Sequence, residues 1–408
     1  MEKEKFDFES FQAQAIARLR SGDAVLGKEG ILTPLLKQFL EKALEGEIEA
    51  HLLEEKASSQ TNRRNGKSRK VVKTTSGEFE LETPRDREGN FEPEIVKKRE
   101  VFLGEDLEDK IIKLYARGMS YQDIREHLAE TYGLDISSGK VSTITDKVIP
   151  ELEAWRNRPL EPIYTIMYLD AVHFKVREDG LVKSKALYNA IGIRKDGHKE
   201  LIGLYMSDNE SAKFWLTVLS DIQSRGVEDI LIACIDNLSG FSEAIQSIFP
   251  KTLVQLCIVH QVRNTLRYVT HEDSKKVVAD MQSIYQAPTL SSAQIALEEF
   301  GKKWSEKYPI VVKSWNNNWS QLSTYFDFSL VVRKAIYTNN PIEAYHRQLR
   351  KHTKNKGVFP SDMAVMKLIF LLAKNITAKW TMPMRGWPLV VQQLAIIFDQ
   401  RLTKHLNI

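Results

Sequence analysis

A series of short apolar segments between residues 163 and 256 constrains the fold more than any other feature of the sequence. Three of them are rich in aromatic, β-branched and aliphatic residues and are separated by charged or glycine-bearing turns: Tyr164 to Leu169, Lys185 to Ile193 and Leu201 to Met206. This pattern predicts three strands of an antiparallel meander. The segment Ile230 to Ile235 is almost continuously apolar, as expected of a strand that is buried on both faces.

Helical patterns separate the later strands of this region. Trp215, Leu219 and Ile222 recur at helical spacing before Ile230, and residues 241–249 precede another short strand, Leu253 to Leu256. The predicted order is therefore β-β-β-α-β-α-β, which is the order of a ribonuclease-H-like core of the α/β class.

Two aspartates follow the predicted strands. Asp170 ends the apolar segment 163–169, and Asp236 comes directly after Ile235. Neighbouring strand ends would bring the two carboxylates together, and like charges at that distance need a cation or a raised pKa. Two Mg²⁺ or Mn²⁺ ions, roughly 4 Å apart, could bridge such a pair.

Glu343 is the candidate for a third carboxylate at this site. It lies in the segment Thr338-Asn339-Asn340-Pro341-Ile342-Glu343, in which Asn340 and Pro341 are typical of the cap and first residue of a helix. A glutamate at the third helical position is also what a capping arrangement uses. The position of Glu343 therefore allows either a metal ligand or a helix cap.

The N-terminal region, residues 1–60, is predicted to be helical, because apolar residues from Leu32 to Ile48 recur every three or four positions. This helix packs either on its own domain or on a second subunit. Residues 61–103 are predicted to form a mobile basic loop and a small hairpin that includes Glu78 to Thr83. The loop cations are either contacts for DNA phosphates or solvated charges: Arg63, Arg64, Lys67, Arg69 and Lys70.

Residues 104–158 are predicted to form a helix-turn-helix-like unit. Ser120 to Asp123 resembles a capping box, Gly133 breaks the helical pattern, and Ser137 can cap a third helix. DNA-binding modules share this outline with many small three-helix domains. Lys140 and Lys147 on the third helix are the candidate DNA contacts here.

Composition excludes several classes of protein. The chain has 408 residues and a net charge of only +4, so its overall field is a weak argument for nucleic acid. Its longest apolar run, near Leu368 to Ala373, is much shorter than the ~20 residues of a membrane span. The N-terminus has no apolar region typical of a secretory signal, and two cysteines cannot build a disulfide framework. We expect a soluble cytoplasmic protein with reduced thiols.

Four motifs, in order along the chain, resemble those of bacterial insertion-sequence transposases of the Mutator-like DDE superfamily. They are Tyr168-Leu169-Asp170-Ala171, Asp236-Asn237-Leu238-Ser239-Gly240-Phe241, Cys257-Ile258-Val259-His260-Gln261-Val262-Arg263-Asn264, and Thr338 to Glu343 followed by Leu349-Arg350-Lys351. The resemblance covers nearly the whole chain and includes Leu44-Glu45-Gly46-Glu47 and the segment Asn62 to Lys70. It implies that Asp170, Asp236 and Glu343 are the catalytic metal ligands.

The resemblance also implies how the domains are arranged. The interval from Asp236 to Glu343 is 107 residues (343 − 236), which is too long for one strand-helix step. Similar transposases carry an all-helical insertion there, and residues 265–337 are the corresponding segment. The core would then comprise residues 159–264 and 338–408. The insertion's tryptophans are interpreted as core packing rather than as platforms for flipped bases.

Several polar residues near the motifs are further candidates. The resemblance suggests that Cys257 and His260 support the catalytic acids or contact DNA, whereas zinc ligation would need a second ligand pair that is missing nearby. The candidate phosphate contacts are either DNA ligands or ordinary surface residues: His260, Arg263, Asn264, Arg347, Arg350 and Lys351.

The chain departs from the family pattern at two positions. Asn237 replaces the usual glycine after the second aspartate, and His346 replaces a common asparagine three residues after Glu343. Asparagine tolerates the left-handed backbone that a glycine would adopt, and histidine can still donate or accept a hydrogen bond. Neither change removes a carboxylate.

The sequence as a whole predicts a nucleoid-associated DNA transposase. It would bind terminal inverted repeats and target DNA as a homodimer, and would cleave and transfer DNA strands with two Mg²⁺ or Mn²⁺ ions and no covalent protein–DNA intermediate. Two other functions are also compatible with the sequence. The chain could be a non-catalytic DNA-binding regulator that descends from a transposase, or a structure-selective nuclease that cuts branched DNA.

Overall fold

The computed structural model describes residues 7–23, 25, 30–57, 61–74, 77–98, 105–208, 211–337, 340–354 and 356–406. They divide into two compact units, Met1–Lys147 and Val148–Ile408. Part of the Thr338–Glu343 motif, residues 338 and 339, lies outside the described residues. None of the described helices combines the length and the apolar character that crossing a membrane requires.

The first unit begins with two helices and a hairpin, α1 (Phe8–Arg20), α2 (Thr33–Ala57), β1 (Arg64–Thr74) and β2 (Gly77–Asp86). The strands pair in antiparallel fashion. Leu44 of α2 packs against the hairpin, in one cluster with Val72, Phe79 and Leu81. Helix α2 therefore buries part of its apolar stripe within its own unit.

The basic segment is a strand, and the prediction of a mobile loop was wrong. Alternate residues at its C-terminal end, Val72 and Thr74, are buried, while cations on β1 face carboxylates on β2. Arg69 Nε lies 3.1 Å from Glu82 Oε1, and Lys73 Nζ lies 3.7 Å from Glu78 Oε2. Cross-strand pairs of opposite charge stabilise such a ladder, and single-residue composition does not reveal them.

Three short helices complete the first unit, α3 (Glu105–Ala116), α4 (Tyr121–Tyr132) and α5 (Ser138–Asp146). The predicted capping box is present, because Ser120 and Asp123 each bond the other's backbone N–H. Gly133 ends α4 in the left-handed region with φ 64°, and the Ser137 side chain caps α5. These local signals predicted the helix ends correctly.

The second unit is built on a five-stranded mixed sheet. Its first elements are α6 (Ile149–Arg156), β3 (Ile163–Glu178), β4 (Leu181–Ile193), β5 (Lys199–Ser207), α7 (Ala212–Ser224), β6 (Asp229–Ile235), α8 (Phe241–Ile248) and β7 (Leu253–Leu256). The strand order is β5-β4-β3-β6-β7, in which β3, β4 and β5 are antiparallel neighbours and β3, β6 and β7 are parallel ones. The predicted β-β-β-α-β-α-β succession is confirmed.

The expectation that Asp170 ends its strand was wrong. Strand β3 continues for eight more residues to Glu178 and stays paired with β4 throughout. Exposed residues His173 and Lys175 alternate there with buried Phe174 and Val176, which is the pattern of a strand with one face in solvent. Asp170 therefore lies at the point where a fully buried strand becomes half exposed.

Helices cover both faces of the sheet. Ala171 pairs with Tyr188 of β4, so these two side chains point to the same face. The Tyr188 ring lies 4.7 Å from that of Trp215 on α7, which assigns α7 to this face. Because side chains alternate along a strand, Asp170 points to the opposite face.

The remaining elements of the second unit are helical. They are α9 (Ile258–Leu266), α10 (His271–Tyr285), α11 (Leu290–Trp304), α12 (Pro309–Leu322), a 3₁₀ helix (Thr324–Asp327), α13 (Leu330–Ile336), α14 (Asn340–Thr353), α15 (Asp362–Thr377), α16 (Trp387–Phe398) and α17 (Gln400–Thr403). Trp304 and Trp315 are buried, and their indole N–H groups donate to Asp280 and to Thr265. Both rings serve as core residues. Helix α14 packs against β3 and β4, and α15 packs against β5.

Candidate active site

The register of the two central strands places Asp170 beside Asp236. Tyr168 of β3 pairs with Cys234 of β6, and each aspartate lies two residues beyond its member of this pair. Adjacent strands are roughly 5 Å apart, and residues two apart share a face. Asp170 therefore shares the face of Tyr168, and Asp236 directly follows the last residue of the neighbouring strand β6. Asp170 is only 8% exposed.

The end of α13 is attached to this face through three consecutive carbonyl groups. The Tyr168 hydroxyl donates to the Ala335 carbonyl at 2.7 Å, and Cys234 Sγ donates to the Ile336 carbonyl at 3.3 Å. The backbone N–H of Ile258 donates to the Tyr337 carbonyl at 3.3 Å. The last carbonyls of a helix have no partner within the helix, so the sheet and α9 satisfy them. This attachment fixes the C-terminal end of α13 against the sheet and α9.

Helix α14 carries Glu343 to the same region. The Glu343 carboxylate accepts a hydrogen bond from Arg263 Nη1 at 2.8 Å, and His260 Nε2 lies 3.8 Å from the same oxygen. Both partners belong to α9, which begins directly after the short strand β7. Burial lowers the pKa of His260, and nearby Arg263 and Arg267 lower it further, against the opposing effect of Glu343. The Glu343 side chain is 18% exposed, so this pair is partly shielded from water.

His346 lies one helical turn beyond Glu343 and contacts the first aspartate. Its Nδ1 is 3.5 Å from Asp170 Oδ2, and the residue is 2% exposed. Burial lowers the pKa of His346 to about 3, and the charge of Arg350, with that of His260 when it is protonated, acts in the same direction. The ring is therefore neutral near pH 7. Residues three apart on a helix share a face, so Glu343 and His346 project from the same face of α14, His346 towards Asp170 and Glu343 towards α9.

The three carboxylates do not form a closed cage. Among the described residues, no group of three or more His, Cys, Asp or Glu side chains is arranged to hold a metal ion; Glu343 is paired with Arg263 instead. The donor set nevertheless suits a hard cation, because Mg²⁺ and Mn²⁺ prefer carboxylate oxygens. Two buried ring nitrogens in this region, Nδ1 of His260 and Nε2 of His346, have no hydrogen-bond partner within the described residues. The region thus has polar groups that a hydrated ion or a phosphate could satisfy.

A buried glutamine connects the residue after Asp236 to α12. Gln261 is fully buried, and its Oε1 accepts from Asn237 Nδ2 at 3.2 Å and from Asn318 Nδ2 at 3.4 Å. Its Nε2 donates to Ser314 Oγ at 3.1 Å. Asn237 is not among the described residues with positive φ, so the tolerance of asparagine for a left-handed backbone is not needed at this position. Its amide is used for the contact with Gln261, which a glycine could not make.

Cys257 acts on this region through its backbone. It is buried at the start of α9, and its N–H donates to the Ile235 carbonyl at 2.8 Å, next to Asp236. Cys257 and Cys234 are not joined by a disulfide. Asn264, one turn after His260, is half exposed.

The predicted DNA-contact residues fall in three places, of which the first is α9 with His260, Arg263 and Asn264. On α14, Arg347, Arg350 and Lys351 are exposed along the helix that carries Glu343. In the first unit, most candidates already have partners. Arg64 pairs with Glu49, Lys67 with Glu45 and Glu82, Arg69 with Glu82, and Lys147 with Glu108. Lys70 Nζ donates to the Lys97 carbonyl at 2.6 Å, Arg63 is exposed, and Lys140 is half exposed.

Sequence reasoning missed three residues that shape the site. Tyr168 has no local signal for its contact with the Ala335 carbonyl, 167 residues away. Gln261 stood within a recognised motif but offered no sign of its partners. His346 was visible only as a departure from the family pattern. Its contact with Asp170 depends on how α14 packs against β3.

Comparison with known proteins identifies the family. A family model described as "Transposase, Mutator family" matches residues 8–383. The chain is 41% identical over 384 residues to the probable transposase for insertion sequence element ISRM3-like of Sinorhizobium fredii, covering 94% of this chain and 96% of the relative. It is 26% identical over 378 residues to the IS256 transposase of transposon Tn4001 from Staphylococcus aureus, covering 92% and 96%.

Solved structures give weaker matches. The Drosophila P element transposase strand transfer complex has a TM-score of 0.33 at 10% identity, over 67% of this chain and 92% of that chain. The HTLV-2 integrase catalytic core domain in complex with magnesium has a TM-score of 0.18 at 15% identity, over 33% and 93%. Family membership rests on the sequence matches, which extend over nearly the full length. The chain belongs to the Mutator family of transposases.

Proposed function

We propose that this chain is a DDE-type DNA transposase that cleaves and rejoins DNA at the terminal inverted repeats of an insertion sequence. One observation carries the proposal. Asp170 lies within β3 beside the end of β6, which Asp236 directly follows, and α14 carries His346 to Asp170 and Glu343 to the neighbouring His260 and Arg263 of α9. This arrangement suits a ribonuclease-H-like core in which residues 159–264 and 338–408 form the site and residues 265–337 are a helical insertion.

Asp170, Asp236 and Glu343 would hold two Mg²⁺ or Mn²⁺ ions. When bound, these ions would lower the pKa of the attacking hydroxyl group and stabilise the leaving oxygen. Arg263 holds the Glu343 carboxylate at 2.8 Å, so it keeps this charge compensated and exchangeable until a cation takes its place. Neutral His346 beside Asp170 adds no positive charge that would compete for that carboxylate.

The reaction consists of two in-line displacements at phosphorus. In the first, water attacks a phosphodiester at the end of the element; the bond to the 3′ oxygen breaks, and that oxygen takes up a proton to become a hydroxyl. In the second, this 3′-hydroxyl attacks a phosphodiester of the target, loses its proton, and displaces the target's own 3′ oxygen. No protein side chain becomes covalently attached to DNA.

DNA would approach along α9 and α14. Arg263, Arg347, Arg350 and Lys351 are exposed cations on these helices, and cations that neutralise phosphates release counterions. His260 and Asn264 on α9 would make further contacts. In the first unit, the α3–α5 helices with Lys140 and Lys147, and the β1–β2 hairpin with Arg63, Arg64, Lys67, Arg69 and Lys70, would read the repeats. A homodimer would bring two element ends together.

A cleavage assay on DNA carrying the element's own ends tests this proposal. Wild type would be compared with Asp236→Asn and Glu343→Gln, which remove charge at nearly constant shape, in Mg²⁺ or Mn²⁺. Each change should slow cleavage by about 100-fold or more, because several kcal/mol of transition-state charge stabilisation would be lost. The matched control is Glu306→Gln, an exposed glutamate after α11, which should cleave as wild type does.

Other outcomes would assign a different function. Equal cutting by wild type and Glu343→Gln would leave Glu343 as a helix-terminal residue and move the third ligand elsewhere. DNA binding without cutting by wild type would favour the regulator. Preferred cutting of branched DNA that lacks the element's ends would favour the structure-selective nuclease.

A further inference from the structure

Helix α2 has a second apolar stripe on the side that faces away from the β1–β2 hairpin. Leu44 and Ile48 are buried, and Leu44 packs against the hairpin. Phe39 and Leu53 lie on the opposite side of the helix, and each is 68% exposed. Exposed apolar patches of this kind mark interaction surfaces.

The exposed stripe has the spacing of a coiled-coil seam. Residues without polar side chains recur at alternating intervals of four and three, from the residue before α2 to its last residue: Leu32, Leu36, Phe39, Ala43, Gly46, Ala50, Leu53 and Ala57. We call these residues the α2 seam. It extends over 26 residues (57 − 32 + 1), or more than three heptads, and a repeat of this length indicates pairing between helices. Leu36 lies at its margin, because it also packs against the hairpin cluster.

A glycine in the middle of the seam has no use within the first unit. Gly46 is exposed, and a Cβ placed on it would meet no atom of the described residues within 4 Å. Its φ is not positive, so the backbone does not require glycine there. Glycine inside a helix destabilises the helix relative to alanine, and a packing reason is usual where one is found. Close approach of another helix supplies that reason.

A second copy of α2 fits the seam in the antiparallel orientation. Alignment about the midpoint between Ala43 and Gly46 sets these two residues of opposite copies against each other. It also sets Phe39 of each copy against Ala50 of the other, so the largest side chain of the seam meets a small one. A parallel pair would instead place Phe39 against Phe39 and Gly46 against Gly46, which leaves a gap that close packing does not tolerate.

Charges beside the seam favour the same orientation. Lys42 and Glu49 flank one side of the seam, and the antiparallel alignment sets Lys42 of each copy beside Glu49 of the other. Glu49 also pairs with Arg64 of its own chain through Oε1, and its side chain is still mostly exposed. A parallel alignment would set Glu49 beside Glu54 of the other copy, and these like charges would repel.

We propose that two copies of this chain associate through the α2 seam, with the two α2 helices antiparallel. The partner is a second copy because the seam is complementary to itself: one patch supplies the large and the small residues and both signs of charge, as a two-fold interface requires. The interface itself does not rest on the proposed function, but its use does. Each copy carries one set of α3–α5 helices, so a dimer carries two, one for each element end.

Sedimentation equilibrium of the full chain without DNA tests the inference. Wild type should form dimers. Phe39→Asp should raise the dissociation constant of the dimer at least about tenfold, because it buries an unpaired charge in the interface twice. Gly46→Gln should also weaken the dimer, although glutamine is the better helix former. The matched control is Ile295→Asp, which changes an exposed apolar residue of α11 in the second unit and should dimerise as wild type does.

Cross-linking tests the orientation. A short thiol-reactive cross-linker would be added to Phe39→Cys, to Ala50→Cys and to a mixture of the two. The native cysteines, Cys234 and Cys257, are buried. Positions 39 and 50 are about 16 Å apart along one helix, so a short cross-linker joins antiparallel helices in the mixture but in neither variant alone.

Four results would count against the inference. Wild type that stays monomeric at every soluble concentration would show that a second copy does not occupy the seam. Wild-type dissociation constants in both Phe39→Asp and Gly46→Gln would place the dimer interface elsewhere. Covalent dimers of Phe39→Cys alone would overturn the antiparallel order, and a mixture without covalent dimers would overturn the alignment. These results are independent of DNA cleavage, so Asp236→Asn tests the proposed function separately.

Discussion

At the scale of residues, one side-chain amide, that of Gln261, connects the carboxylate site to α12. Its side chain bonds Asn237, Asn318 and Ser314 from a fully buried position. Replacing it with the similarly sized Met leaves those polar groups without their partner, so Gln261→Met should reduce the free energy of unfolding by about 1–3 kcal/mol. All seven tryptophans lie in the second unit, so urea unfolding followed by tryptophan fluorescence reports on this unit.

The matched comparison for Gln261→Met is Asn237→Ala. Asn237 is half exposed, and Gln261 Oε1 keeps the Asn318 amide when Asn237 loses its own. Asn237→Ala should therefore destabilise the unit less than Gln261→Met does. Equal stability of Gln261→Met and wild type would show that the network contributes nothing to holding α12 against the site.

At the scale of elements, the ends of β3, β4, β5 and α15 meet around one buried lysine. Lys185 is 2% exposed, and its Nζ lies 2.9 Å from Glu178, 3.0 Å from Asp208 and 2.9 Å from Asp362. A charge this buried is tolerated because it is paired. The cluster fixes the start of α15, the helix that packs against β5.

This cluster predicts a particular response to acid. Hydrogen bonds from Lys183 and Lys185 lower the pKa of Glu178 to about 2, from an ordinary value of 4.5. A carboxylate whose folded-state pKa is depressed adds stability above its unfolded pKa and loses it as the pH falls. The loss should occur between pH 4.5 and pH 2. As the pH falls through this window, the unfolding free energy of Glu178→Gln should decrease less steeply than that of wild type. The difference between the two free energies should be smallest near pH 2.

Unfolding by urea at a series of pH values measures this effect. Glu299→Gln, which changes an exposed glutamate on α11, serves as the control and should follow the wild-type curve. A Glu178→Gln curve parallel to wild type throughout the window would mean that the contact with Lys185 does not survive in solution.

At the scale of the whole molecule, the chain divides into two units with separate cores. The five-stranded sheet and every candidate carboxylate lie in Val148–Ile408, whereas the β1–β2 hairpin and the α3–α5 helices lie in Met1–Lys147. Residues 148–408 expressed alone should keep the fluorescence-detected unfolding of the full chain. Their DNA binding should depend less steeply on salt concentration, because fewer cations remain. They should also show no preference for the element's ends, because the first unit is proposed to read the repeats.

Competition binding with end DNA and unrelated duplex, followed by gel shift, measures this preference. A fragment 148–408 that discriminates as strongly as the full chain would place recognition of the ends in the second unit.

Features with a local cause were predictable from the sequence. The capping box at Ser120, the end of α4 at Gly133 and the apolar segment Ile230 to Ile235 depend on neighbours a few residues away. They gave correct helix ends and the correct order of elements. The order of motifs also identified the family correctly.

Only the tertiary structure decided features that depend on distant partners. Pairing with β4 extends β3 past Asp170. The basic segment has the composition of a loop, but it forms strand β1 because its cations pair with carboxylates on β2. The contact of His346 with Asp170 and the hydrogen bonds of Gln261 join segments far apart in the chain. Periodicity and capping record how a residue interacts with its near neighbours. Long-range packing chooses among many partners of similar chemistry, and no local pattern encodes that choice.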